Sequence, residues 1–253
     1  MPIAFSKKPG IIAYLTAGDP DLATTRDIAL AAIDNGADVI ELGVPFSDPL
    51  ADGPVIQRAS ERAVAKGTTL TQVLALAKEL RVARPSAGLV LFSYLNPVVR
   101  MGMKAFCAKV AEAGADGVLL TDMIVEEAGE YLAEMKANSL APIFLAAPTS
   151  PDARLKAIGE ASQGFVYAIS RVGITGTQQT IASDAAALVE RLRKFTTLPI
   201  AVGFGISNAE HVRVVGEFAD AAVIGSALVA LIEKTGPSEA AAAVGSFIAG
   251  LRK

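Results

Sequence analysis

The chain reads as an α/β protein, a single (β/α)8 TIM barrel spanning residues 1–253, with an extra helix after the second strand and a closing helix at the C-terminal end. Three observations predict this. Apolar segments of strand length recur eight times, with amphipathic helical segments between them. A punctuation of Ala-Asp followed by an apolar strand returns at Ala37-Asp38, Ala115-Asp116 and Ala219-Asp220, the first two after a glycine helix stop. The length of 253 residues, with no low-complexity linker, is the size of one such barrel. A doubly wound open sheet is the rival, but the dinucleotide-binding glycine fingerprint it needs is absent after Leu15.

In chain order, Gly10 to Leu15 reads as the first strand, and Asp19-Pro20-Asp21 as a helix cap with proline at the first helical position. That helix stops at Asn35-Gly36. The second strand, Val39 to Val44, is apolar on both faces, as a parallel strand covered on both sides must be. Pro54 to Gly67 reads as the extra helix, and Thr69-Leu70-Thr71-Gln72 as a capping box opening the next one. Further strands are expected at 88–93, 117–121, 142–147, 165–170, 199–203 and 221–225. Ser207-Asn208-Ala209-Glu210 reads as a second capping box, and the alanine-rich segment from Ser238 to Leu251 as the closing helix.

Composition narrows the function classes. A net charge of −3 argues against a nucleic-acid or anionic-membrane surface. No apolar run is long enough to span a bilayer, and Met1 to Gly10 lacks a signal-peptide pattern, so a soluble, cytoplasmic protein is expected. Cys107, the only cysteine, sits in a helix-packing context and reads as an inert core thiol.

Glu41 is the residue that most needs an explanation. It lies inside the second strand, where a carboxylate is costly unless it is used or paired. Alternation places it with Val39 and Gly43 on one face and Ile40 and Leu42 on the other, so packing of the second pair on helices turns Glu41 inward. Barrel chemistry occurs at the C-terminal ends of the strands. That filter keeps Glu41, Asp48, Asp52, Asn96, Asp122, Tyr167, Ser170, Arg171, Ser207 and Ser226, with no lysine and no histidine. The single histidine, His211, falls inside a helix. Serine–histidine triads, multi-histidine metal sites and lysine imines are therefore disfavoured, leaving carboxylate chemistry and no expected metal. Asp48 and Asp52 each have a capping alternative, and Asp122 reads as a loop tether. Glycine-rich segments follow the last three strands: Arg171 to Gly176, Gly203 to Ser207, and Gly225-Ser226. Their amides, ending at helix N-termini capped by Ser207 and Ser226, suit a phosphate, although any one of them alone could be a turn glycine.

The segment Glu41-Leu-Gly-Val-Pro-Phe-Ser-Asp-Pro-Leu-Ala-Asp-Gly-Pro-Val-Ile-Gln57 resembles the signature of the tryptophan synthase alpha chain family. The resemblance extends in order through Tyr14-Leu-Thr-Ala-Gly-Asp-Pro20, Tyr94-Leu-Asn-Pro-Val98, Ala147-Pro-Thr-Ser150, Ser170-Arg-Val-Gly-Ile-Thr-Gly176 and Gly203-Phe-Gly-Ile-Ser207. It implies a (β/α)8 barrel that cleaves indole-3-glycerol phosphate to indole and glyceraldehyde 3-phosphate. By resemblance Glu41 and Asp52 are the catalytic pair with Tyr167 beside them, and Gly176, Gly205, Gly225 and Ser226 hold the phosphate. The indole pocket would be lined by Tyr14, Phe92, Tyr94, Leu119, Leu145, Phe204 and Val223. A beta chain would dock near Asp48, Pro49 and Asn96 in an alpha2beta2 complex; that partner would carry pyridoxal phosphate, and this chain no cofactor. A stand-alone lyase releasing free indole is the alternative. The segment before the first strand is shorter than is usual in the family, which implies a barrel bottom less fully plugged.

Overall fold

The computed structural model describes residues 3–169, 178–203 and 205–253, and the side chains of 178–182 are outside that description. Strands β1 (Gly10–Thr16), β2 (Val39–Gly43), β3 (Gly88–Ser93), β4 (Gly117–Leu120), β5 (Ala141–Ile143), β6 (Leu145–Ala146), β7 (Val166–Ile169), β8 (Ile200–Gly203) and β9 (Ala221–Ile224) form one parallel sheet. Its order is β5-β4-β3-β2-β1-β9-β8-β7-β6. The two edges, β5 and β6, are consecutive in the chain and separated only by Phe144, so the chain itself closes the ring. The expected eighth-fold count thus becomes nine segments because the predicted strand at 142–147 is split. Phe144 turns outward onto Tyr131 at 6.1 Å between rings, while Ile143 and Leu145 point inward.

The helices are α1 (Leu22–Asp34), α2 (Pro54–Ala65), α3 (Leu70–Ala83), α4 (Leu95–Met101), α5 (Met103–Glu112), α6 (Gly129–Ala137), α7 (Asp152–Ala161), α8 (Gln178–Leu192), α9 (Ala209–Gly216), α10 (Ser226–Thr235) and α11 (Pro237–Leu251). The extra helix is α2 and the closing helix α11. Thr69 and Gln72 form the expected capping box of α3. Two other caps differ from expectation. Asp21, with Pro20 ahead of it, caps α1 by accepting from the Thr24 amide at 2.7 Å. Asn208 rather than Ser207 caps α9, accepting from His211 N at 2.9 Å.

Alternation sorts the strand residues into two cores. Ile11, Ala13, Leu15, Ile40, Leu42, Leu89 and Leu91 pack outward on the helices. Ile12, Val39, Val90, Leu119, Ile143, Ala201 and Val223 fill the barrel interior. Glu41, two residues beyond Val39, belongs to that inner face, as expected. Ile3 is buried in the interior core and Phe5 packs beside it, 6.2 Å from Phe165, so the short leading segment does plug the bottom of the barrel.

The Ala-Asp repeat now has a cause. Asp38, Asp116 and Asp220 each sit one residue before a strand, and each accepts the amide that belongs to the preceding neighbour in the sheet: Ile11, Leu89 and Ile200, all at 2.8 Å. The same carboxylate oxygen also takes an arginine, Arg252, Arg81 or Arg193 respectively. The repeat is a clamp on strand register at the bottom of the barrel. No helix among the described residues is long and apolar enough to cross a membrane.

Candidate active site

At the C-terminal end of the strands is a cavity of about 430 Å³. Tyr14, Asp52, Phe92, Leu145, Tyr167, Gly205, Val223, Gly225 and Ser226 line it, as the resemblance implies. It also includes residues that sequence reasoning passed over, among them Ile56, Thr121, Ile169 and Ile206. Ile56 comes from α2 and carries no strand-end signal, so only the packing of that helix over the barrel mouth could reveal it. Two expected lining residues stand elsewhere. Leu119 is fully buried in the interior core, and Tyr94 stands behind Asp52. Gly176, Phe204, Ser170 and Arg171 lie outside the described residues.

Glu41 is fully buried, and among the described residues neither of its carboxylate oxygens has a hydrogen-bond partner. Its in-register neighbours are Tyr14 on β1 and Val90 on β3. Burial alone pushes its carboxyl up to about 8, because the charged form loses its water with nothing in exchange. The acid is therefore poised to hold a proton at neutral pH.

Two phenols share this layer. Tyr14 stacks edge-on against Phe92 at 5.1 Å and accepts from Thr16 Oγ1 at 3.4 Å. Burial raises the Tyr14 hydroxyl, and Asp52 and Glu41 push it further; burial followed by Glu41 does the same to Tyr167. Both phenols thus stay neutral donors close to the carboxylates. They fit because two inward strand positions lack side chains. A Cβ at Gly43 would come within 2.3 Å of Tyr14 Oη, and one at Gly203 within 2.3 Å of Tyr167 Oη. The sequence pattern marks Gly203 only as part of a glycine-rich segment and Gly43 only as inward-facing, since the need for a missing side chain comes from the adjacent strand.

Asp52 lies on the loop between β2 and α2. Its capping alternative does not hold: Gly53 is the N-cap of α2, with no side-chain capping bond. The Asp52 carboxylate instead accepts from Tyr94 Oη at 3.0 Å. Burial pushes its carboxyl up to about 6, and the Tyr94 bond holds it lower than burial alone would. Asp122 is the expected tether, accepting from Leu95 N at 2.7 Å at the start of α4.

On the lining of the same cavity, α10 begins at Ser226 with Gly225 as its N-cap, so Ser226 is the first helical residue and not the cap. The opening amides of a helix have no acceptor within it and point outward with the positive end of its dipole. Gly205 lines the same cavity with φ of +44° and open space where a Cβ would sit. Asp48 and Asn96 are exposed, Pro49 partly so, and Leu50 between them is 90% exposed. Among the described residues no group of His, Cys, Asp and Glu could hold a metal ion. Cys107 is buried in the helix layer, its thiol raised to about 11 by burial.

Known proteins share this architecture and sequence. An alpha chain of tryptophan synthase from Burkholderia lata is 49% identical over 250 residues, 99% of this chain and 92% of that one. One from Cupriavidus pinatubonensis is 47% identical over 251 residues, 99% of this chain and 95% of that one. In a solved structure of the tryptophan synthase a2b2 complex from Pyrococcus furiosus, one chain superimposes with a TM-score of 0.89 at 38% identity, covering 97% of this chain and 98% of its own length. A family model described as Tryptophan synthase alpha chain matches residues 3–249, and with these relatives it establishes that the chain belongs to the tryptophan synthase alpha chain family.

Proposed function

We propose that this chain cleaves indole-3-glycerol phosphate to indole and glyceraldehyde 3-phosphate, as the alpha subunit of a tryptophan synthase. The observation that carries the chemistry is Glu41, a proton-holding acid without a hydrogen-bond partner among the described residues, fully buried beside a mostly apolar cavity that a second acid, Asp52, lines.

The indole ring lies among Tyr14, Phe92, Leu145 and Val223, and the phosphate lies at the N-terminus of α10 by Gly225 and Ser226, with Gly205 beside it. Gly176 belongs to that phosphate corner in the family pattern. Glu41 gives its proton to the ring carbon that bears the glycerol chain, producing an indolenine cation. Asp52, as a carboxylate, hydrogen-bonds the ring N–H and stabilises the positive charge. Glu41, now ionised, takes the proton from the hydroxyl on the adjacent carbon. That oxygen becomes the aldehyde carbonyl, the carbon–carbon bond breaks, and its electron pair returns to the ring. The acid ends as it began. Tyr167, a neutral donor near both carboxylates, completes the layer. Acid–base help of this kind is worth roughly a hundred- to ten-thousandfold.

The exposed face with Asp48, Pro49, Leu50 and Asn96 adjoins the cavity mouth and is where a beta chain docks in this reading, in an alpha2beta2 assembly with pyridoxal phosphate in the partner. Indole release from indole-3-glycerol phosphate by the purified chain, with and without a beta chain, tests the reading. No indole in either case would overturn it.

A further inference from the structure

Asp52 sits on an exposed segment, next to Leu50 at 90% exposure and between exposed Ala51 and Gly53. A charge that must meet one ring nitrogen cannot wander with such a loop, because small displacements at a reacting centre cost large factors in rate. Something has to fix it.

The fixing group stands outside the cavity. Tyr94 is only 5% exposed, its ring packs 5.1 Å from that of Phe46, and it is the residue from which α4 starts. The next residue is tied through Leu95 N to Asp122. From this anchored position one hydroxyl makes two bonds to consecutive residues of the loop: it accepts from Ala51 N at 3.0 Å and donates to Asp52 Oδ2 at 3.0 Å. A phenol has one proton to donate, and here it goes to the carboxylate. Gln57 supports the same stretch from α2, donating to Asp52 O at 2.9 Å. The side-chain hydroxyl of Ser60 brackets Phe46, accepting from its amide at 2.8 Å and donating to its carbonyl at 3.0 Å.

We infer that Tyr94 is a positioning residue of this enzyme: its hydroxyl aims the Asp52 carboxylate and ties the loop backbone to the end of β3, without touching substrate itself. The inference rests on the role proposed above for Asp52. The groups that face Asp52 electrostatically are the phenols of Tyr14 on β1, Tyr94 itself and Tyr167 on β7, and Glu41 on β2 reaches the first and last of these phenols. Since Tyr94 donates to the charged form, its loss must make Asp52 easier to protonate.

The experiment compares wild type, Tyr94→Phe, Asp52→Asn and the double variant in steady-state cleavage of indole-3-glycerol phosphate from pH 5 to 9. The phenyl ring of Tyr94→Phe keeps the contact with Phe46, and thermal melting confirms the fold. We expect kcat to fall on the order of tenfold with KM changed less than about twofold. The acid limb of the kcat profile should move upward by roughly half a pH unit; substrate phosphate titrates alike in every variant, so it cancels in the comparison. In the Asp52→Asn background the Tyr94→Phe change should add little. An unmoved acid limb, or losses that simply add, would overturn the positioning role. Should Tyr94→Phe melt out, Gln57→Leu, which loosens the same loop from the other side, must show the kcat loss, and a wild-type rate there counts against the inference. If Asp52→Asn itself is as active as wild type, the Asp52 assignment fails instead, and the two failures are told apart.

Discussion

At the scale of single residues, Glu41 sets a pH signature. Its folded carboxyl is raised from an ordinary 4.5 to about 8, so the folded chain keeps a proton that the unfolded chain gives up. Stability from this group is therefore fully present below pH 4.5, drains away as pH rises through 8, and is constant above. Asp52 has the same sign but is exhausted by about pH 6, so the interval from 6 to 8 isolates Glu41. Glu41→Gln should lose that slope, on the order of 1 kcal/mol per pH unit, and melt higher than wild type near pH 8. Urea unfolding at pH 6, 7 and 8 measures it, and parallel slopes for the two proteins would contradict the burial argument. The same variant should lose cleavage almost completely because an amide cannot transfer the proton; a tenth of wild-type activity remaining would rule out the acid–base role.

Between elements, two devices hold strands and site in register. The clamp of Asp38 with Arg252 joins β1, β2 and the C-terminal end of α11, through an arginine side chain 14% exposed and a carboxylate 5% exposed. Arg252 also donates to the carbonyls of Gly36 and Pro9. Asp38→Ala leaves Arg252 and the Ile11 amide without their shared acceptor and should cost roughly 3–5 kcal/mol, by the behaviour of broken buried pairs. Denaturant unfolding checks this, and a loss under about 1 kcal/mol would mean the clamp is ornamental. The second device is the pair of bare positions under the phenols. Gly203→Ala places a methyl where Tyr167 Oη lies, with a separation of 2.3 Å, so the phenol must move. A fall in cleavage of tenfold or more is expected in steady-state assays, with a loss of stability of about 1–3 kcal/mol in denaturant unfolding.

At the scale of the whole molecule, the proposed function links a phosphate corner to a partner face. Glycerol 3-phosphate, used as a substrate fragment, should bind at Gly205, Gly225 and Ser226, in keeping with the N-terminus of α10. A crystal soak that places it elsewhere would refute the corner. Because binding free energies couple symmetrically, the fragment should tighten the association with a beta chain by the same factor as the beta chain tightens the fragment. Titration calorimetry in both orders compares the two factors. Equal affinities with and without the fragment would leave the chain energetically independent of its partner.

The one-dimensional pattern determined what depends on neighbours in the chain. Alternation in Val39 to Gly43 was enough to turn Glu41 inward, Thr69 and Gln72 were enough to start α3, and the Ala-Asp repeat marked three strand beginnings. The motif order carried the family and, with it, the two acids. What depends on atoms brought together from distant segments was not legible. The sequence leaves Asp52 a capping alternative beside its catalytic one, and only the bond from Tyr94, 42 positions away, removes it; the same bond turns the Tyr94 hydroxyl to the loop and not into the pocket. Gly43 and Gly203 matter because of tyrosines on adjacent strands, and Ile56 because α2 folds across the barrel mouth. Local periodicity dictates which face a residue occupies, through bond geometry alone. Which groups meet across that face, and whether a buried charge finds a partner, is decided only when the barrel closes and removes the water.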